Sequence, residues 1–272
     1  NYCKSHPKTG GKQIVCENWR NLISTGAKPL AITNCLNFGN PENKEIMGEF
    51  VECLEGIKEA CKFLNYPVVS GNVSFYNGTN QKNINPTPVI GGVGLIKKLS
   101  KPLGQNFKKD GSVILLVGKT FGHLEQSCFL KENYLITEGM PPEVNLLNEK
   151  NNGENVLKLI QNDLVLSAHD ISNGGLIVAL SEMALSSNYG AKIQKPKKLT
   201  NLFEYFFGED QGRYILEIDP KNLTKAEKIL KENNIYYENV GLTQKNFFEI
   251  ESELKINIKD LYKVNNEWYN KY

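Results

Sequence analysis

Histidine is scarce in this chain, with three in 272 residues, at His6, His123 and His169. None has a second His or Cys at ligand spacing, so a zinc site has no ligand set to draw on. The six cysteines (Cys3, Cys16, Cys35, Cys53, Cys61 and Cys128) form neither a C-x-x-C pair nor a compact disulfide framework. Reduced thiols in a cytoplasmic protein are the expected state. No apolar run reaches the length of a membrane span and no signal-peptide pattern opens the chain, so no membrane partner is expected. Charge of one sign is missing as well. The 32 Lys and Arg stand against 30 Asp and Glu, a formal net charge of +2, and are scattered, which argues against a nucleic-acid partner. The sequence has no G-x-S-x-G elbow, no Walker A loop and no G-x-G-x-x-G opening a helix.

What is present is enough length and apolar content, 40% hydrophobic residues, for two globular units, each with its own core. The chain opens on Asn1 rather than methionine and is expected to be a fragment of something longer. A helix is predicted over Gln13 to Ser24 with Gly26 as its C-cap, then a short strand Pro29 to Ile32 and an Asn- and Gly-rich stretch, Thr33 to Pro41. That stretch reads either as a ligand loop or as a connector. From Glu45 to Asn65 apolar residues recur every three or four positions, which describes one buried helical stripe. A second glycine-marked strand, Pro86 to Ile96, closes the first unit, and the boundary falls at Lys98 to Gly111. The units are therefore 1–98 and 111–272.

In the second unit Ser112 to Gly118 is a buried strand, and Pro142 to Asn162 a helix interrupted at Asn151-Asn152-Gly153. Ala168 to Leu176 turns from a strand into the helix Ile177 to Leu185, with Asp170 or Ser172 as its cap. His169-Asp170 reads either as an acid/base pair or as a capping carboxylate beside a core histidine. Leu199 to Phe207 and Leu223 to Asn233 are helices, Gly208 to Gly212 a polar turn, and Arg213 to Ile218 and Tyr236 to Leu242 strands.

Pro67 to Asn77 is the stretch around which the chain is organised. An apolar run breaks at Gly71, where a missing Cβ lets a bulky anion approach the backbone. Period-2 alternation then sends Asn72 and Ser74 to one face and Val73 and Phe75 to the other, so an amide and a hydroxyl project side by side. An ordinary amphipathic strand with a glycine bulge is the competing reading.

Five runs carry a resemblance: PLAITNCLNFGNP (29–41), SGNVSFYN (70–77), TPVIGGVGL (87–95), AHDISNGGL (168–176) and FGEDQGR (207–213). They closely resemble, in order, the second half of the phosphoribosylformylglycinamidine synthase family. The resemblance implies an α/β (α+β) fold. It would have an aminoimidazole-ribonucleotide (AIR) synthetase-like, or PurM-like, A domain that forms half of a shared β-barrel, followed by a PurM-like C-terminal α/β domain. It implies ATP-dependent conversion of formylglycinamide ribonucleotide to the amidine, with ammonia from a glutaminase domain or subunit, and with ATP and Mg²⁺ as cofactors. Residue by residue, Gly71 and Asn34 correspond to ATP contacts, Asn72 to a Mg²⁺ ligand and Ser74 to a substrate contact. The catalytic histidine falls in the first half of the family protein, so none of the three histidines is assigned that role. Partners are then that N-terminal half and the glutaminase, and the fragment alone is expected to be inactive and to homodimerise. Asn34 stands where the family usually has an aspartate, Leu124-Glu125-Gln126-Ser127 where it has Leu-Gly-Gly-Ser, and Asn173 where it commonly has an aspartate. Two alternatives remain, a non-catalytic half with a structural nucleotide site and a stand-alone AIR-synthetase-like enzyme.

Overall fold

Pro7 begins the first long helix. Its missing N–H is one the first turn would leave unpaired anyway, and the His6 ring Nδ1 accepts the Thr9 N–H at 3.2 Å. The computed structural model describes residues 1–80, 82–97, 103–185, 187–196 and 201–269. The N-terminal half runs α1 (Tyr2–Ser5), α2 (Pro7–Ser24), β1 (Lys28–Asn37), α3 (Lys44–Leu64), β2 (Val68–Ser74), β3 (Gly78–Thr79), β4 (Lys82–Asn83) and β5 (Thr87–Leu95). In α3 the stripe Ile46, Cys53, Ile57, Cys61 and Leu64 is buried, Asn43 caps the start, and Asn65 ends it in a left-handed turn at φ 52°.

Strands β2, β1 and β5 form a three-stranded sheet with β1 central, parallel to β2 and antiparallel to β5. The short strand predicted at Pro29 to Ile32 therefore runs on to Asn37. Pairing on both sides holds residues 33–37 extended despite their turn-forming composition. Helices α2 and α3 cover one face, where Ile32, Leu36 and Ile90 join the core.

The C-terminal half comprises β6 (Val113–Val117), α4 (Cys128–Tyr134), α5 (Leu146–Gln161), β7 (Ser167–Asp170), α6 (Gly175–Leu185), β8 (Tyr189–Ile193), α7 (Leu202–Phe207), β9 (Tyr214–Ile218), α8 (Leu223–Glu232), β10 (Tyr237–Lys245), β11 (Phe247–Ile250), β12 (Leu254–Asn257) and α9 (Ile258–Glu267). Seven of the strands form one sheet in the order β12-β11-β8-β10-β6-β9-β7. Every residue of the adjacent strands β6 and β9 is buried, and apart from Tyr214 and Glu217 both runs consist of Val, Ile and Leu. The start of the predicted Leu199 to Phe207 helix and the first part of the predicted boundary, 98–102, lie outside the described residues.

Helix α5 is unbroken through Asn151-Asn152-Gly153. Gly153 is there to admit a neighbour: a Cβ would collide with the Trp19 ring of α2 and come within 2.8 Å of the Tyr214 hydroxyl. The two halves therefore share one core and are not packed independently. Val15, Trp19 and Ile23 from α2 belong to one apolar cluster with Val156, Leu159, Tyr214 and Leu216. A second cluster, around Leu176, Leu180, Met183 and Ile215, lies wholly in the C-terminal half. Through the shared core passes a fully buried ion pair, in which Arg20 Nη1 donates to Glu149 Oε1 at 2.6 Å and Arg20 Nη2 donates to Gln211 Oε1 at 2.9 Å. Burial opposes its charge, but the Glu149 and Asp170 carboxylates outweigh that and hold the guanidinium protonated.

Candidate functional site

The sequence-predicted residues gather at one end of the β1–β2 pair. Parallel pairing sets Asn34 opposite Gly71, Cys35 opposite Asn72 and Asn37 opposite Ser74. At Gly71 the absent Cβ is a steric requirement, because any Cβ would strike the Asn34 side-chain oxygen and lie 3.2 Å from the Asn34 carbonyl. Asn34 and Gly71 are thus in contact on the face toward the helices. Alternation along β2 carries Asn72 and Ser74 to the opposite, uncovered face, as predicted, while Phe75 turns inward. There Phe75 meets Phe50 with ring centroids 5.0 Å apart, and Phe50 meets Phe38 at 5.1 Å, which pins the strand end to α3. The structure brings the four residues together along the strand pair but divides them between two faces.

Asn77 fixes the end of the site. Its Nδ2 donates to the Ser74 carbonyl at 2.9 Å, the Phe38 carbonyl at 3.0 Å and the Ser74 hydroxyl at 3.1 Å. Ser74 Oγ is therefore held in place, whereas Asn72 is exposed. The uncovered face also carries Val89 and Val93, 52% and 57% exposed, and Val69 stands 69% exposed on the adjacent edge strand. Both β2 and β5 are edge strands of their sheet. The donors on this face are neutral amide, hydroxyl and thiol groups, and among the described residues no three His, Cys, Asp or Glu come together as a metal cluster. A cation here would take the Asn72 oxygen and require its other ligands from elsewhere.

A separate cavity of about 660 Å³ lies in the C-terminal half, between the loop 121–125, the start of α5 and residues 204–211. None of Asn34, Gly71, Asn72 or Ser74 lines it. Its wall carries Glu125, Glu143, Glu149, Glu204 and Asp210 and no lysine or arginine. Its rim is built by Asp210, Gln126 and Ser127, which the sequence marks only as parts of a polar turn and of a departure from the family pattern. Asp210 accepts the N–H groups of Phe121, Gly122 and His123 at 2.8 to 3.2 Å. Gln126 sits in the left-handed region at φ 62°, at a position where the family pattern has glycine, and donates to the Thr137 and Gly139 carbonyls. Ser127 caps α4 by accepting the Leu130 N–H at 3.2 Å.

The expected cap on α6 is replaced. The Gly174 N–H goes to Glu209 Oε1 at 2.8 Å, and Asp170 is engaged by His169 instead. His169 contacts Asp170 through Nδ1 at 3.5 Å and Glu182 through Nε2 at 3.0 Å. Burial works against its protonation, but the two carboxylates prevail and its pKa is pushed up to about 9. A histidine so held is protonated at neutral pH and unsuited to act as a base there. No helix among the described residues is long and apolar enough to cross a membrane.

Residues 1–96 match the family of AIR synthase related proteins through its N-terminal domain, and residues 109–248 match through its C-terminal domain. All of this chain is 54% identical, over 271 residues, to 37% of the phosphoribosylformylglycinamidine synthase subunit PurL of Pelagibacter ubique (strain HTCC1062). It is 45% identical over the same length to 37% of the corresponding subunit of Rhodopseudomonas palustris (strain BisB5). The chain thus spans 37% of the length of these curated relatives. Among solved structures, T. maritima PurL complexed with FGAR has a TM-score of 0.75 over 95% of this chain and 44% of that one, at 18% identity. T. maritima PurL complexed with ATP has a TM-score of 0.72 over 94% and 41%, at 17% identity. The fold and the family expected from the five runs are borne out.

Proposed function

The chain belongs to the family of AIR synthase related proteins, and from that premise we propose that it is the C-terminal part of a phosphoribosylformylglycinamidine synthase. The whole enzyme would be a cytoplasmic, ATP-dependent C–N ligase of purine biosynthesis. The observation that carries this reading is the 54% identity to a PurL subunit along the full length of the chain. Two units, 1–98 and 111–272, correspond to the A and B domains.

In the proposed reaction ATP phosphorylates the amide oxygen of formylglycinamide ribonucleotide, ammonia adds to the activated carbon, and phosphate leaves as the amidine forms. This chain's part is to bind and align. The Gly71 backbone and the Asn34 amide contact the nucleotide, and Ser74, held by Asn77, presents its hydroxyl to the substrate. Asn72 offers its amide oxygen to Mg²⁺, which would offset phosphate charge and share its remaining coordination with phosphate oxygens and the rest of the longer protein. Asn34 in place of the usual aspartate keeps an acceptor and loses a charge.

The apolar, uncovered sheet face with two free edges supports half of a barrel completed by the N-terminal half of the enzyme. A glutaminase domain or subunit would supply ammonia. Without its N-terminal half, the 272-residue chain is expected to pair with a second copy through that face. It is expected to yield no amidine from ATP, ammonia and formylglycinamide ribonucleotide, whereas the longer protein does; steady turnover by residues 1–272 alone overturns this assignment.

A further inference from the structure

The run FGEDQGR was recognised as a family signature but has no part in the proposed site. In the structure it is where two neighbouring buried carboxylates collect five backbone N–H groups. Asp210 takes those of Phe121, Gly122 and His123. Glu209 Oε1 takes those of Cys128 at 2.7 Å and Gly174 at 2.8 Å, at the start of α4 and just before α6. The other Glu209 oxygen accepts the hydroxyl of Tyr2, on α1 in the N-terminal half. Burial and the Glu209 carboxylate drive the Tyr2 phenol well above its ordinary pKa, so it remains a donor.

The turn itself is braced from beneath. Arg213, fully buried, donates through Nε to the Asp210 carbonyl at 3.0 Å, through Nη2 to the Gly208 carbonyl at 2.5 Å and through Nη1 to Thr120 Oγ1 at 3.0 Å. Gln211 Nε2 donates to the Glu209 carbonyl at 2.9 Å, and its Oε1 accepts from Arg20 of α2. Glu209 therefore sits on a rigid base, with one oxygen facing two loops of the C-terminal half and the other facing the N-terminal half.

We infer that Glu209 is a positioning residue that couples the seating of α1 to the placement of the start of α4 and of the turn 171–174. A carboxylate accepting at the first N–H groups of two helices meets positive partial charge from both, and three charge-assisted bonds on one buried group support one another. Removing the carboxylate orphans two N–H groups, that of Gly174 buried and that of Cys128 half-buried, and one phenol at once.

The test is site-resolved amide exchange on the 272-residue chain, together with turnover of the longer synthase. Glu209→Ala is expected to raise exchange at Cys128 and Gly174 at least 30-fold while leaving Leu216, in the core of β9, unchanged. Glu209→Gln keeps one oxygen for both N–H groups and an amide for Tyr2, and is expected to stay within about fivefold of the parent. Tyr2→Phe, which leaves the C-terminal half untouched, should raise the same two amides about threefold and leave Phe121 to His123 unaltered. No change at Cys128 and Gly174 in Tyr2→Phe overturns the coupling, and a uniform rise that includes Leu216 in Glu209→Ala reduces the residue to a merely structural one.

In the longer protein, kcat should fall at least tenfold in Glu209→Ala and recover in Glu209→Gln. That arm rests on the proposed reaction. Unchanged kcat in a folded Glu209→Ala synthase overturns the positioning role, whereas a parent synthase without amidine formation overturns the reaction and leaves the exchange measurements to decide the coupling.

Discussion

The two sheets of this molecule treat their surfaces in opposite ways. In the seven-stranded sheet, β6 and β9 are buried along their whole length. In the three-stranded sheet one face is packed and the other leaves valines in water beside Asn72 and Ser74. The first sheet is covered by the chain itself, with α2 of the N-terminal half among its cover, and the second holds its functional groups on a surface it cannot complete alone. Stability and function are thereby assigned to different places, and substitutions can separate them.

The largest expected effect lies in the buried core between the two sheets. Arg20→Ala removes the partner of a carboxylate that is buried among apolar side chains, and should cost about 3–5 kcal/mol in urea unfolding. Replacing both partners with apolar residues, Arg20→Met with Glu149→Leu, should recover most of that loss. If the single and double variants are equally unstable, the pair is not what joins the halves.

On the open side, Asn72→Ala should leave the thermal midpoint nearly unmoved while lowering turnover of the longer synthase about 30- to 1,000-fold, a loss of roughly 2–4 kcal/mol from one missing electrostatic contact. Turnover and midpoint measured on one preparation decide it, and unchanged turnover refutes the metal-ligand role.

Smaller again is the effect expected at His169. Its pKa in the fold, about 9, lies above the ordinary value of 6.5. Its stabilisation is therefore complete below about pH 6.5 and disappears as the pH rises through about 9. The chain should lose roughly 1–3 kcal/mol over that window by chemical denaturation, and His169→Gln should flatten the difference.

The smallest energetic effect belongs to the valines. Val93→Glu should change monomer stability by no more than about 0.5 kcal/mol, yet abolish pairing of two copies in sedimentation. A variant that pairs as the parent does would move the interface to another surface.

Much of this contrast was legible in the sequence, for physical reasons. The stripe of α3 repeats at the helical period and ends at an asparagine able to take a positive φ, so its prediction fell within a residue at each end. Alternation along β2 gave the faces of Asn72 and Ser74 correctly. Register was not legible, because the contact of Asn34 with Gly71 depends on a parallel pairing across intervening helix α3, which no local pattern encodes. Gly153 looked like a break because its reason lies in Trp19, far away in the chain. The beginning of α2, with Gly10-Gly11, hid its helicity in the same way, and β11, β12 and α9 lie beyond Leu242, the end of the last predicted strand. Glu209 and Asp210 read as a polar turn, since nothing in Gly-Glu-Asp-Gln-Gly says that both acids face inward.

The shared core also has a consequence in time. Arg20 is separated from Glu149 by 129 residues and from Gln211 by 191. A ribosome adding about 5–20 residues per second would leave α2 on the order of 10 to 40 seconds before its partners emerge. During that interval Trp19 and Ile23 flank an unpaired cation on a helix that has only α3 and the three-stranded sheet to pack against. Helix α5 and strand β9, translated later, thus complete a core that α2 began.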